Sequence, residues 1–395
     1  MKATHEIENG LESYTLEPAQ WKQGRNVLAG LALVSTGACL GGIFMDREQF
    51  YASWLTAFLY VVTILFGAMF FTQVQHLTNA AWSATVRRLA ENMIANFPLA
   101  FVLFLPIVFG LGDIYEWVHD PPHGKGVYLN PTAFLIRGFL YFLAWSVMGI
   151  VLYSYSRRQD SAKALWMSRA AAYWSAPGLI LTFVSTSLAS FDWVMSLDPH
   201  WYSTIFGVYV LTGGTMALYA MLICIALRMR RSGVLSGTIH LEHYHDLGKW
   251  LFAMVAFWGY IAFSQDLLIW YGNLPEETLF FKHRLQGSWK WVSLSLVLFH
   301  FIVPFFLLIS RFSKRNLKVL GAGATLMLVM HYVDLYWLVM PTFAPEGVRA
   351  HWLDAAALVA VLSILGLGFW YRAKNAPLVP QGDPRFERGL EFQNV

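Results

Sequence analysis

Ten strongly apolar stretches divide this chain, and the short loops between them alternate between rich and poor in lysine and arginine. A helix needs about 20 residues to cross a hydrocarbon core roughly 30 Å thick, and each stretch is long enough to do so. They read approximately as Val27–Phe44, Phe50–His76, Asn92–Leu111, Pro131–Tyr155, Trp174–Met195, Tyr202–Met229, Lys249–Tyr271, Trp289–Arg311, Leu317–Met340 and Leu353–Tyr371. Strands would need alternating hydrophobicity, which runs such as Leu179–Val184 and Leu294–Leu298 do not show. The expected fold class is all-α, a polytopic membrane protein of about ten transmembrane helices.

The basic residues fix the expected orientation. One side collects Lys2, Lys22 and Arg25, then Arg87 and Arg88, then Arg157, Arg158, Lys163 and Arg169. It continues with Arg228, Arg230, Arg231 and Lys249, then Arg311, Lys314, Arg315 and Lys318, and ends with Arg372, Lys374, Arg385 and Arg388. That is 21 of the 28 Lys and Arg residues, so the positive-inside rule places both termini in the cytoplasm. An odd number of spans would reverse the bias partway along, and no reversal occurs.

Composition closes off other classes. A hydrophobic fraction of 57% with only 13% charged residues is that of a chain dissolved in lipid. The net charge of +4 is accounted for by the basic loops, and no nucleic-acid partner is implied. Only Cys39 and Cys224 are present, both in apolar spans, so no thiolate-held iron–sulfur cluster, CxxCH haem attachment or zinc ribbon can form. No covalently bound cofactor is expected. Met1–Gln20 is polar and acidic, unlike a cleavable signal peptide, and the first span is expected to direct insertion. Gly37 and Gly41 form a GxxxG on which a second helix could pack.

Ionisable residues inside spans face cavities, partners or pathways, because a charge at the bilayer centre costs on the order of 3 kcal/mol or more. Spans three, five, seven and nine carry Asp113, Asp192, Asp266 and Asp334 near their outer ends, and spans four and eight carry Arg137 and Lys290 near their outer starts. Phe50-Tyr51 matches Trp201-Tyr202, Asp113 matches Asp266, Arg137 matches Lys290 and Asp192 matches Asp334. The reading is a parallel internal duplication of two four-helix bundles with flanking helices. The divisions are a cytoplasmic N-terminal segment 1–26, a first helix and loop 27–49, bundles 50–200 and 201–341, an outer loop with the tenth helix 342–372, and a cytoplasmic tail 373–395. Asp113, Arg137 and Lys290 are the expected members of structural ion-pair clusters.

The second bundle adds His300 and His331 at mid-depth, with Asp334 one turn beyond His331 on the same helix face. A buried imidazole beside a carboxylate has the parts of a proton relay, since neutral imidazole both donates and accepts and titrates near working pH. Histidines hydrogen-bonded to backbone or tyrosine would give the same pattern. A b-type haem between His300 and His331 would need glycines for close approach to the porphyrin, which this pair lacks. At the inner mouth, His76 and Glu91 flank Arg87 and Arg88 and mark an entry point for protons or a solvated ion pair. His240, His243, His245 and Asp246 resemble a run of metal ligands without a second shell, and no metal is assigned.

The strings QHLTNAAWSATVRRLAENM, SLDPHWYSTIFGVYVL, HYHDLGKWLFAMVAFWGYIAFSQDLLIWYGNLPEET, HYVDLYWLVMP and APLVPQGDPRFERGLEF resemble the ActF-type subunits of bacterial alternative complex III. These belong to the polysulfide-reductase membrane-subunit, or NrfD-like, superfamily, whose fold is two four-helix bundles plus flanking helices. The resemblance runs from about Trp21 over nearly the whole chain. It implies a bacterial inner-membrane subunit of a quinol:cytochrome c oxidoreductase. Its partners would be a homologous membrane subunit, an iron–sulfur subunit and c-type haem subunits, with haem c and iron–sulfur clusters on those partners. The expected contribution of this chain is a proton path through His76, Glu91, His300, His331, Asp334, Asp266 and Asp192. A second quinone- or quinol-binding subunit and a structural membrane anchor are the alternatives. A free-standing secondary transporter would also show ten spans and a repeat, but its broken helices should meet at the midplane, and Pro98, Pro106, Pro177 and Pro304 are not placed symmetrically.

Overall fold

The computed structural model describes residues 14–121 and 124–393. Half of the expected N-terminal segment, including Lys2, lies outside them. Among the described residues the fold is all-α, and ten helices are long and apolar enough to cross a membrane. In chain order, spans one to five are Pro18–Met45, Arg47–Leu77, Ala84–Phe109, Pro131–Ala162 and Leu165–Leu197. Spans six to ten are Phe206–Arg231, Leu241–Gly272, Trp289–Ile309, Leu317–Phe343 and Trp352–Asn375.

Two boundaries depart from the hydropathy reading. Span seven begins at Leu241 because the polar run from His240 is itself helical, with His240 at the N-cap. Span three begins at Ala84, so Arg87, Arg88 and Glu91 lie inside the helix and are fully buried. That helix breaks at Ala95-Asn96, before Pro98, and the guanidinium of Arg372 on span ten donates to the Ala95 carbonyl and to Asn96 Oδ1, each at 2.6 Å. A cation from a neighbouring helix thus satisfies backbone that the break would orphan.

The packing is built around spans two and six, the most enclosed helices of the chain. Within one half span two packs on span five, and within the other span six packs on span nine; across the halves, span two meets span nine and span six meets span five. Exchanging the halves leaves this pattern unchanged, as a parallel duplication requires. The two central helices touch backbone to backbone. A Cβ on Gly214 would stand 2.2 Å from the Thr63 carbonyl oxygen, and one on Gly67 would stand 2.5 Å from the Gly214 oxygen. Neither neighbour can yield, so Gly214→Ala is expected to destabilise the protein by about 3 kcal/mol or more. A lowered thermal midpoint of the purified protein is the check.

Span one is the most exposed helix and packs on span ten, where Gly24 approaches Trp370 and Gly42 approaches Leu353. Gly37 and Gly41 of the expected GxxxG face open space, so close packing within this chain uses other glycines. At the end carrying the basic loops, residues 376–392 fold back across the helix ends. Leu378 N donates to Tyr14 O at 2.7 Å, and Gly389 O accepts a hydrogen bond from His243 Nε2 at 2.9 Å. Tyr14 and the 376–392 segment therefore lie at the same end.

Candidate functional site

Span eight winds as a π-helix over Leu296–Ile302, a local widening that brings His300 into the interior. Such bulges recur at functional sites. The His300 ring lies against Trp258 of span seven, 4.1 Å between centroids, and Trp258 lies against Tyr209 of span six at 5.6 Å. The Tyr209 hydroxyl donates to Asp334 Oδ1 on span nine. One turn back along span nine, His331 Nε2 is 2.8 Å from Thr63 Oγ1 on span two, and its ring stacks near Tyr60. Gly213 opens the space beside this pair, since a Cβ there would meet His331 Nδ1 at 3.3 Å and Asp334 Oδ2 at 3.8 Å.

Two properties set this cluster apart. All of Asp334, His331 and His300 are buried, yet among the described residues Asp334 has no cation within ion-pair distance. Both nitrogens of His300 and Nδ1 of His331 lack a hydrogen-bond partner. Buried polar atoms are nearly always hydrogen-bonded, so the unpaired nitrogens beside a carboxyl without a counter-charge single this cluster out. Thr63 holds His331, Trp258 covers His300, and neither histidine lines the 550 Å³ cavity nearby.

The matching acid of the first bundle is handled differently. Asp192 receives both forks of the Arg137 guanidinium at 2.8 and 2.9 Å and the Tyr141 hydroxyl at 2.9 Å, and Tyr128 stacks on the arginine. Asp113 pairs instead with Arg47, at 2.8 Å on the surface, where such pairs contribute little. Lys290 makes no ion pair among the described residues, and Asp266 is exposed. The expected acid–base–acid cluster is thus a single buried pair in the first bundle and is not formed in the second. Arg137→Gln would leave Asp192 buried without its partner; a loss of about 3–5 kcal/mol is expected, read as reduced accumulation in membranes.

The inner cluster is separate. Glu91 accepts from Arg87 at 2.8 Å, from Arg88 at 3.0 Å and from the Ser156 hydroxyl, and its carboxylate is 3.8 Å from His76 Nε2. Arg88 continues to Asp160 at 2.9 Å. Gln73, Gln75, His76 and Asn92 all carry side-chain polar atoms without partners. From Gln73 to Thr63 on span two is ten residues, roughly 15 Å, and the stretch between includes Phe66, Met69 and Phe70. Seven residues expected to form one path therefore fall in four places: His76 with Glu91, His300 with His331 and Asp334, Asp192 with Arg137, and Asp266 alone.

Over the inner cluster lies the folded-back tail. Asp383 accepts from Arg87, and bidentately from Arg385 at 2.7 and 2.9 Å. Burial works against the Asp383 carboxylate, but the charges of Arg87 and Arg385 outweigh it and hold its pKa below the usual carboxylate range. A depressed folded pKa contributes stability that is present above the ordinary value, about 3.9, and lost as pH falls toward the folded pKa. The thermal midpoint is accordingly expected to be insensitive to this group between pH 5 and 8 and to fall below about pH 4, and Asp383→Asn should remove that component of the acid dependence. The histidine run before span seven serves the same closure: His243 Nδ1 accepts from the His240 N–H, and its other nitrogen meets the tail. No protein-family model and no curated protein matches this sequence.

Proposed function

We propose that this chain is the proton-handling membrane subunit of a bacterial quinol:cytochrome c oxidoreductase of the alternative complex III type, set in the inner membrane with both termini cytoplasmic. Redox centres, namely haem c and iron–sulfur clusters, would be carried by partner subunits, alongside a second, homologous membrane subunit. The observation that supports the reading most directly is the contrast between the two matching acids. Asp192 is neutralised by Arg137, while Asp334 is buried against a tyrosine and beside two histidines, three of whose four ring nitrogens are unpaired. A carboxyl without a fixed counter-charge can take up and lose a proton at moderate expense, whereas one locked to arginine cannot.

In this reading Asp334 is the loading group, His331 and His300 exchange protons with it through water, and His76 with Glu91 form the inner reservoir. The apolar stretch between the reservoir and Thr63 separates the two, so transfer requires hydration or movement of span two during turnover. Such a break is what prevents passive leak in a pump. The test is to purify the chain from its native membrane, identify c-type haem and iron–sulfur partners by spectrum and mass, reconstitute the assembly in vesicles, and count protons released per electron. A chain that purifies alone and colourless would overturn the assignment.

A further inference from the structure

A cavity lies on the second bundle, between spans seven and eight. It holds about 550 Å³ and extends from Ala256 and Phe301 at mid-depth to Gln265, Asp266 and Ser293 toward the outer end. That volume is within the range of small-ligand pockets, about 300–1,000 Å³. Its walls are mainly apolar, and Tyr260, Phe263 and Val297 on its rim are exposed on the membrane-facing surface. Gly259 lets Phe301 close against span seven, and the π-turn of span eight sets the far wall. The short helix Pro275–Leu285 covers the outer end with Phe281 and Leu285. That helix is pinned by Arg284, which donates to the carbonyls of Phe280, Trp337 and Leu338 at 2.9 to 3.1 Å.

Chemistry at the mouth selects the occupant. Lys290 and Ser293 are one turn apart on the face of span eight that continues to Val297 and lines the cavity. Lys290 is exposed and has no ion-pair partner among the described residues, and Lys282 is exposed on the covering helix at the same end. Asp266 stands six residues short of the end of span seven, whereas Lys290 is the second residue of span eight, so the lysine is the charge nearer the membrane surface. A vertical apolar slot with the lysines Lys290 and Lys282 at its outer end matches an amphiphile with an acyl chain below and a phosphate above.

We infer that this groove binds a single glycerophospholipid of the outer leaflet, one acyl chain lying along spans seven and eight between Ala256 and Gln265 and its phosphate on Lys290. The bound chain seals the flank of Tyr209, which forms part of the cavity wall and bonds Asp334. The inference does not depend on the proton reading, because its test scores lipid and not turnover.

The test uses the assembly purified from native membranes, delipidated by detergent exchange and supplied with a phosphatidylglycerol carrying a photoreactive diazirine on one acyl chain. Labelled peptides should fall in 252–266 and 293–302. Ala262→Phe, which fills the slot, should reduce that labelling at least tenfold, and Lys290→Gln should weaken retention of phosphatidylglycerol several-fold while leaving a headgroup-free diacylglycerol unaffected. Lys290 is on the surface, so its variant reads out even if the cavity-filling one fails to fold. Labelling that ignores both substitutions, labelling elsewhere on the chain, or complete displacement by a prenylquinone at equal concentration would each overturn the assignment.

Discussion

Asp334→Asn is expected to remove pumped protons from the vesicle assay, leaving only those released by the oxidation chemistry itself, while electron transfer and assembly continue. Asparagine keeps the shape and still accepts the Tyr209 hydroxyl, but it cannot change protonation, so the substitution isolates the charge from the packing. Asp192→Asn is the matched control. Its carboxylate is committed to Arg137, so that substitution should lower stability without altering protons per electron in the complex that survives. Gly213→Ala probes the same chamber from the opposite wall. Its methyl group would sit 3.3 Å from His331 Nδ1 and narrow the space beside that nitrogen, and proton release should slow by about tenfold or more with only a modest stability change. Full stoichiometry in Asp334→Asn at normal turnover would return these residues to the role of interhelical glue.

Asp383→Ala is expected to have the largest effect on stability. Arg87 is wholly buried and is held between Asp383 and Glu91, so removing the tail carboxylate leaves a desolvated guanidinium with half its counter-charge and Arg385 with none. Breaking a buried pair in this way costs about 3–5 kcal/mol. The tail's other ties are Arg88 to the Pro377 carbonyl, Leu378 to Tyr14 and His243 to Gly389, with Leu378, Val379 and Phe386 buried; Gly382 and Gly389 lie so close to the Gln159 and Ala81 carbonyls that no side chain fits. Trypsin should therefore cut after Arg385, which is protected in the native protein, and the thermal midpoint should drop. Resistance of Arg385 to trypsin in the variant would show that the tail is held by packing rather than by charge.

Much of the architecture was legible because the bilayer imposes it. Ten apolar runs of sufficient length, with basic residues on alternate loops, admit few other folds, and the ten long apolar helices are found where those runs lie. Pairings were less legible, because charge and depth say which residues need partners and not which partners they find. Arg47 lies next to a span end and reads as a surface cation, yet it takes Asp113 away from Arg137. Tyr209, Trp258 and Thr63 look like ordinary span residues; only the three-dimensional crossing of spans two, six, seven and nine sets them around Asp334 and the histidines. Glu91 illustrates the same limit at the inner end. Its spacing from Arg87 suggested a solvated pair, and the spacing was informative, but nothing local indicates that residues nearly three hundred positions later close over it.

That closure has a consequence for how the protein is made. Spans two and three enter the membrane early in synthesis with Arg87 already in place, while Asp383 emerges from the ribosome only after all ten spans have been translated. Until then Arg87 has only Glu91 as a counter-charge, and the helix ends around it lack the cover of the tail. Docking of the last segment joins the first bundle, through Arg87 and Gln159, to the second, through His243, so the two halves are locked together in a single late step.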